Sequence, residues 1–358
     1  MKSVHALAAA LTAGLAVLAA AAVPASPARA AEATACEPAG KVRYLCGPVN
    51  AEDMVLAPGT DWMVVSGMAG EAGQGGRLYL VDARRKTWKV MVPDVSGPAK
   101  APYAACPSAP DMVRFAAHGL ALRPGRNGRH TLYAINHGGR ESVEVFELQA
   151  AGAEPSLRWA GCLIVPEGVS PNSVATTPEG GLVVTKFNQA GDAGAFQKMA
   201  AGEKTGALYE WTAAGGFRQV PGSELSGNNG VAVSADGKWV FVNAWPEGRV
   251  VRYARGSDAP PVSAAVDFLP DNLRWAPDGQ LLVAGQAGLF KALLACGRPQ
   301  CPHAWSVVKL DPKTMKITPV LHETGTLAFS DATGALQVGK EVWVGTYRGD
   351  RLAYAPLR

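Results

Sequence analysis

Six stretches of this chain repeat one pattern: a polar residue, a short apolar strand, a Pro/Gly turn and a second apolar strand. The fullest copy starts at His118 and continues through Leu120–Leu122, the turn Arg123-Pro124-Gly125 and the strand Leu132–Ile135. A turn between two short β-rich runs predicts an antiparallel hairpin. The matching turns are Ala57-Pro58-Gly59, Thr177-Pro178-Glu179-Gly180, Ser234-Ala235-Asp236-Gly237, Ala276-Pro277-Asp278-Gly279 and a degraded copy, Gln337-Val338-Gly339-Lys340. Each leads into an apolar strand, such as Trp62–Val65, Leu182–Val184, Trp239–Phe241, Leu281–Val283 or Val342–Val344. The copies lie roughly 40 to 65 residues apart, the length of a four-stranded propeller blade. The pattern predicts an all-β chain folded as a six-bladed β-propeller.

Six places before the Pro58-equivalent position of each turn stand Glu52, His118, Asn172, Asn229, Asp271 and Ala332. Five of these slots are polar. The innermost strands of a propeller surround a central channel, so equivalent positions near their ends converge on one axis. For one Asn the plainer account is a turn cap or a satisfied strand end. The whole register argues instead for a shared site. Two carboxylates and two amides, with Asn272 next door, form a cage of hard oxygen donors whose charge matches a divalent ion. Calcium takes such oxygens, whereas zinc favours imidazole or thiolate and magnesium keeps more of its waters. His118 occupies a slot too, and His137 follows the next strand. Two imidazoles beside a metal suit proton transfer near neutral pH. No GxSxG elbow is present, which leaves an activated serine of the α/β-hydrolase kind unsupported.

Residues 1–30 read as a signal peptide, with Lys2 at its start, an Ala/Leu-rich run from Leu7 to Val23 and the small-x-small site Ala28-Arg29-Ala30. No later run approaches the ~20 apolar residues of a transmembrane helix. The expectation is an exported protein, periplasmic or secreted, with residues 31–358 as a single propeller domain. Export suits six cysteines, all beyond residue 30. Six cysteines allow fifteen pairings. Cys36–Cys46 and Cys296–Cys301 would close short loops and leave Cys106–Cys162; a zinc site is the rival, though no CxxC pair or His partner stands at ligand spacing. Without Lys2 and Arg29 the chain has 32 Lys and Arg against 30 Asp and Glu. It shows no basic stripe, so nucleic acid is not an expected partner. The best helical signal is Ala193–Glu203, followed by a strand at Ala207–Trp211. Closure of the ring predicts that Lys41–Leu45 pairs with Arg351–Tyr354 in one blade built from both chain ends.

At these residues the chain resembles the serum paraoxonase/arylesterase family, six-bladed propellers related more distantly to the gluconolactonase (senescence-marker) family. The resemblance spans nearly the whole chain after residue 30. It rests on Glu52-Asp53, His118-Gly119 with His137 at the family's spacing, Ser142-Val143-Glu144-Val145-Phe146, Asn172, Asn229-Gly230 and Asp271-Asn272. It implies a catalytic calcium held by Glu52, Asn172, Asn229, Asp271 and Asn272. It implies hydrolysis of lactones and aryl esters, with His118 as base and His137 as its proton-shuttling partner. It also implies a second, structural calcium on Asp53, but Ser173 stands where the family has an aspartate. The family's bridge between chain ends has no counterpart, since no cysteine follows Cys301.

The expected chemistry is attack of water on a metal-polarised lactone or ester carbonyl. The base is the histidine pair or a ligating carboxylate, Glu52 or Asp271. Selectivity is expected from the segments Ser66–Gly75, Phe187–Glu203 and Gly285–Cys301 over the channel mouth, with Thr333 and Phe329 on the wall of the last blade. Two alternatives share the fold: a sugar lactonase of the gluconolactonase type, and a non-catalytic periplasmic binding propeller. Carbon–nitrogen chemistry like that of the strictosidine-synthase relatives is disfavoured, because those relatives generally lack the metal cage.

Overall fold

The structure, a computed structural model, describes residues 36–70, 76–296 and 302–357. The expected signal peptide, Cys301 and part of two expected mouth segments lie outside the described residues. Cys36 onward forms one compact unit. Its strands fall into six antiparallel four-stranded sheets, arranged as a six-bladed β-propeller.

Blade 1 contains β2 (Ala51–Leu56), β3 (Trp62–Gly67), β4 (Arg77–Asp82) and β5 (Thr87–Met91). Blade 2 contains β6 (Ala117–Arg123), β7 (Arg129–Asn136), β8 (Ser142–Gln149) and β9 (Ser156–Ile164). Blade 3 contains β10 (Val169–Thr176), β11 (Leu182–Gln189), β12 (Ala207–Thr212) and β13 (Gly216–Gln219). Blade 4 contains β14 (Asn228–Val233), β15 (Trp239–Ala244), β16 (Arg249–Ala254) and β17 (Val262–Ala265). Blade 5 contains β18 (Phe268–Trp275), β19 (Leu281–Ala287), β20 (Trp305–Leu310) and β21 (Ile317–Glu323). Blade 6 contains β22 (Ala332–Val338), β23 (Glu341–Thr346) and β24 (Arg351–Pro356), and is completed by β1 (Arg43–Cys46).

Ring closure follows the expected pairing of chain ends: Tyr44 faces Ala353 and Leu45 faces Leu352 in antiparallel register. Each inner strand packs beside that of the next blade, and β22 returns to β2. Alternating apolar positions fill the six blade-to-blade interfaces with six separate apolar clusters. The closing interface, blade 6 against blade 1, buries Leu45, Met54, Met63, Trp343 and Leu352. Two disulfides match the expected pairing: Cys36–Cys46 at β1 and Cys106–Cys162 between a long connection and β9. The helical expectation narrows to α1 (Ala195–Ala200), and α2 (Phe290–Ala295) joins it near the same mouth. No helix among the described residues is long and apolar enough to cross a membrane.

A chain starting at Gly47 would leave β24 with an open hydrogen-bonding edge and remove Leu45 from the closing interface. Its urea midpoint should fall, and it should self-associate as concentration rises. An unchanged midpoint in a monomeric truncated protein would show that β1 contributes nothing to closure.

Candidate functional site

Every inner strand carries a register shift at the same place. The ladder breaks between Ala51 and Asp53, Ala117 and Leu120, Pro171 and Val174, Asn228 and Val231, Pro270 and Leu273, and Ala332 and Ala335. A bulge bends a strand and re-aims its side chains. Here the first residue inside each break is Glu52, His118, Asn172, Asn229, Asp271 or Thr333. All six line one cavity of about 340 Å³.

The last of these corrects the sequence register: the slot is Thr333, not Ala332. The β22–β23 connection is two residues long, shorter than the other five, so counting back from it slips by one. Thr333-Gly334 also repeats the pairs His118-Gly119 and Asn229-Gly230. These glycines have a steric reason. A Cβ on Gly119 would lie 2.4 Å from Asn172 O, and one on Gly230 would lie 2.5 Å from Asp271 O. The close approach draws neighbouring inner strands together at the axis. Phe329, expected on the cavity wall, instead packs in the core, with its ring centroid 5.3 Å from that of Trp305.

The oxygen donors converge as the sequence suggested. Glu52, Asn172, Asn229 and Asp271 are buried and line the cavity. Glu52 Oε2, Asn172 Oδ1 and Asn229 Oδ1 are buried acceptors with no hydrogen-bond partner. Orphaned buried acceptors are costly. Three of them beside Asp271 on one cavity fit a hard cation, which accepts oxygen lone pairs and compensates the carboxylate charge. Asn272 sits against Glu52, donating from Nδ2 to Oε1 at 2.5 Å. Gln286, which sequence reasoning missed, is fully buried and donates from Nε2 to Asp271 Oδ2 at 3.0 Å and to Ala332 O at 2.7 Å. Its own Oε1 accepts from Trp245 Nε1 at 2.8 Å.

Burial raises Glu52 well above the usual carboxylate range, and Asp53 and Asp271 add to the rise. Burial pushes Asp271 up to about 7. Asp53 is satisfied differently. Its Oδ1 accepts from Met54 N at 2.8 Å, and its Oδ2 accepts from Leu120 N at 2.8 Å and from the Arg274 guanidinium. Burial still raises its pKa, against the pull of Arg274. Ser173 Oγ accepts from Val231 N at 3.4 Å, so no second carboxylate stands at that level.

His118 and His137 meet as expected. His118 Nδ1 and His137 Nε2 are 2.9 Å apart, and His137 Nδ1 is 2.6 Å from Glu141 Oε2. A carboxylate accepts only, so His137 donates from Nδ1 and its Nε2 accepts from His118 Nδ1–H. That tautomer leaves a lone pair on His118 Nε2, which lies 3.7 Å from Glu52 Oε1. Burial, with His137 beside it, lowers the His118 pKa to about 3, so the ring is neutral at rest. Asn136 fixes the turn that carries His137: its Oδ1 accepts from Ala116 N and Gly138 N, both at 2.9 Å.

The rest of the cavity wall has a polar part, with His303, Tyr347 and Arg348, and an apolar part. Phe187, Phe196, Trp245, Leu293 and Leu294 line the apolar part, and Phe290 backs it with its centroid 4.9 Å from that of Trp245. Cys106, Glu144 and Cys162 also lie close together, but they do not form an ion site. The sulfurs are bonded to each other, and Arg140, Ser142 and Trp159 occupy the Glu144 oxygens.

No protein-family model matches the sequence, and no curated protein matches it significantly. Among solved structures, the chain is similar to a luciferin-regenerating enzyme, with a TM-score of 0.56, 14% identity and coverage of 88% of this chain and 95% of that one. It is also similar to a candidate gluconolactonase, with a TM-score of 0.51, 15% identity and coverage of 89% and 93%. Both likenesses speak for the propeller fold.

The raised Asp271 pKa sets a sign. In cation-free protein the folded state holds this proton up to about 7, whereas 3.8 is the ordinary value. The stability from neutral Asp271 is therefore full below the ordinary value and lost as pH rises through about 7. In melting scans, the Tm of cation-free wild type minus that of Asp271→Asn should fall across this interval. A difference that rises with pH would contradict the assignment.

Proposed function

We propose that the protein is a calcium-dependent hydrolase of lactones and aryl esters with apolar substituents. The observation that carries this reading is the group of three orphaned oxygens, on Glu52, Asn172 and Asn229, sharing a cavity with Asp271 and the free Nε2 of His118. Glu52, Asn172, Asn229 and Asp271 would hold one calcium ion, with Asn272 fixing Glu52 and completing the expected set. Such an ion supplies positive charge for a carbonyl oxygen and the oxyanion formed from it. A second ion is not needed at Asp53, because the Arg274 guanidinium already neutralises that carboxylate.

The chain's own residues do the rest. His118 Nε2 takes a proton from the attacking water. Its Nδ1 proton passes to His137 Nε2, and the His137 Nδ1 proton passes to Glu141, which is partly exposed. A buried imidazole with a low pKa hands a proton on rather than storing it. The aromatic wall receives the apolar part of the substrate and limits water at the reacting carbon. This wall favours hydrophobic lactones and phenyl esters over polar aldonolactones. The two similar structures bear enzyme names, which suits a catalytic reading over a purely binding one. Export through the N-terminal segment is part of the same proposal.

The deciding experiment is hydrolysis of an aliphatic δ-lactone, an acyl-homoserine lactone, phenyl acetate and gluconolactone, with calcium and after EGTA. Turnover of the apolar substrates should require calcium. No turnover on any of them, with calcium still raising Tm, would make the site structural or ligand-binding. Calorimetry should count one calcium per chain, and Asp271→Ala should abolish that binding; retained affinity would remove Asp271 from the ligands. His137→Gln should lower kcat by about 10- to 100-fold with calcium still bound, and full activity would take the relay out of the mechanism.

A further inference from the structure

Resting on that hydrolase reading, we infer that His303 is a second catalytic residue, a general acid that protonates the leaving oxygen, with Asp331 as its positioning residue. His303 lies between β19 and β20 of blade 5, three blades round the ring from His118, and lines the same cavity. Its Nδ1 is 2.7 Å from Asp331 Oδ1. The Asp331 carboxylate is fully buried. It also accepts from Ser330 Oγ at 2.7 Å and pairs with Arg348 Nη2 at 3.2 Å, while Tyr347 Oη lies 3.5 Å away. A carboxylate accepts only, so the ring donates Nδ1–H to Asp331, which fixes the imidazole, and a second ring proton sits on Nε2, the donor atom of the proposed step.

Both partners are held by backbone as well. Asp331 has φ of 55°, a left-handed conformation that few non-glycine residues adopt and that tends to mark functional positions. Thr346 Oγ1 donates to the carbonyls of Ser330, at 2.7 Å, and Asp331, at 3.2 Å. Behind His303, a Cβ on Gly325 would lie 2.0 Å from His303 O, so that chain segment is seated closely.

Chemistry supplies the need for a donor. The proposed cation ligands present oxygen lone pairs. Thr333 donates its hydroxyl to Glu52 O at 2.6 Å. His118 acts as base, Cys296 is disulfide-bonded, and an Arg348 guanidinium does not release a proton near neutral pH. Tyr347 Oη faces Asp331 at 3.5 Å, and among the described lining residues His303 is the imidazole other than the base. In the step, the water oxygen bonds to the carbonyl carbon while its proton goes to His118 Nε2. The ring C–O bond breaks with its electron pair on the leaving oxygen, which takes the Nε2 proton of His303. The product is a hydroxy acid; His118 discharges through His137 and Glu141, and His303 regains a proton from solvent.

The test uses leaving groups. An aliphatic lactone expels a poor alkoxide and needs an acid, whereas p-nitrophenyl acetate expels a good phenolate and does not. His303→Gln should lower kcat/KM on an unsubstituted δ-lactone by about 100-fold and leave p-nitrophenyl acetate within about threefold. Asp331→Asn should give a smaller loss with the same selectivity. Equal losses on both substrates, or none on the lactone, would overturn the inference while leaving the proposed function standing. Wild-type protein inactive on both would sink the two together. A measurement that needs no variant is the wild-type rate across aryl and alkyl acetates: a shallow dependence on leaving-group pKa is expected, and a steep one would overturn the role.

Discussion

Three carboxylates buried near one axis set the terms for this molecule. Glu52, Asp53 and Asp271 lie in the region where the six inner strands converge, and Arg274 answers Asp53. Removing a carboxylate from water costs several kcal/mol unless charge or hydrogen bonds replace the solvent. Around Asp53 two backbone amides and a guanidinium replace the solvent, although burial still leaves its pKa raised. Glu52 and Asp271 receive amide donors from Asn272 and Gln286, yet both pKa values stay raised. The remaining deficit lies with acceptor oxygens aimed into a cavity, where a cation can relieve it and a well-packed side chain cannot.

The residues behind the slots explain how one ring provides both a rigid base and a face of unpartnered oxygens. Counting one position past each slot gives Asp53, Gly119, Ser173, Gly230, Asn272 and Gly334, so polar and glycine residues alternate from blade to blade. The glycines let adjacent inner strands touch; the polar residues tie those strands together. Asp53 accepts from Leu120 N in the next blade, and Ser173 accepts from Val231 N in the equivalent place. Arg274 adds a third tie, reaching the carbonyls of Met54 and Leu120. This lower layer is internally satisfied, which is why the unsatisfied oxygens above it are informative.

The propeller was legible because its turns recur. Five-residue hairpin connections carrying Gly, four of them with Pro, set the phase of five inner strands, and those slots fall at the ladder breaks. The sixth failed where the turn chemistry changed: two residues join β22 to β23, and the phase moved from Thr333 to Ala332. The Thr-Gly pair at 333–334, matching His118-Gly119 and Asn229-Gly230, held the missing signal. The chain-end strand was legible from β propensity and the need to remove an edge. Gln286, His303 and Asp331 were not, since none occupies a repeating slot. Gln286 follows β19's apolar core, and His303 and Asp331 come from separate irregular connections that only the tertiary fold brings within hydrogen-bonding distance. Phe329 shows the opposite error: an aromatic near the last slot belongs to the core because its segment turns toward Trp305.

The apolar wall and the polar cage are one construction. Trp245 packs on Phe290 and Phe187 and, through its indole N–H, holds the Gln286 amide that grips Asp271. Aromatic packing thereby fixes the orientation of a carboxylate at the axis. The same wall lowers the local dielectric, which strengthens every charge interaction in the cavity relative to water. It also makes proton traffic depend on defined exits, because an apolar surface offers none. In the proposed mechanism His137 and Glu141 are one such path, on the blade 2 side. A site that concentrates charge behind aromatic rings must specify its proton routes residue by residue, and in the proposed mechanism these are histidines whose second ring nitrogen is already engaged.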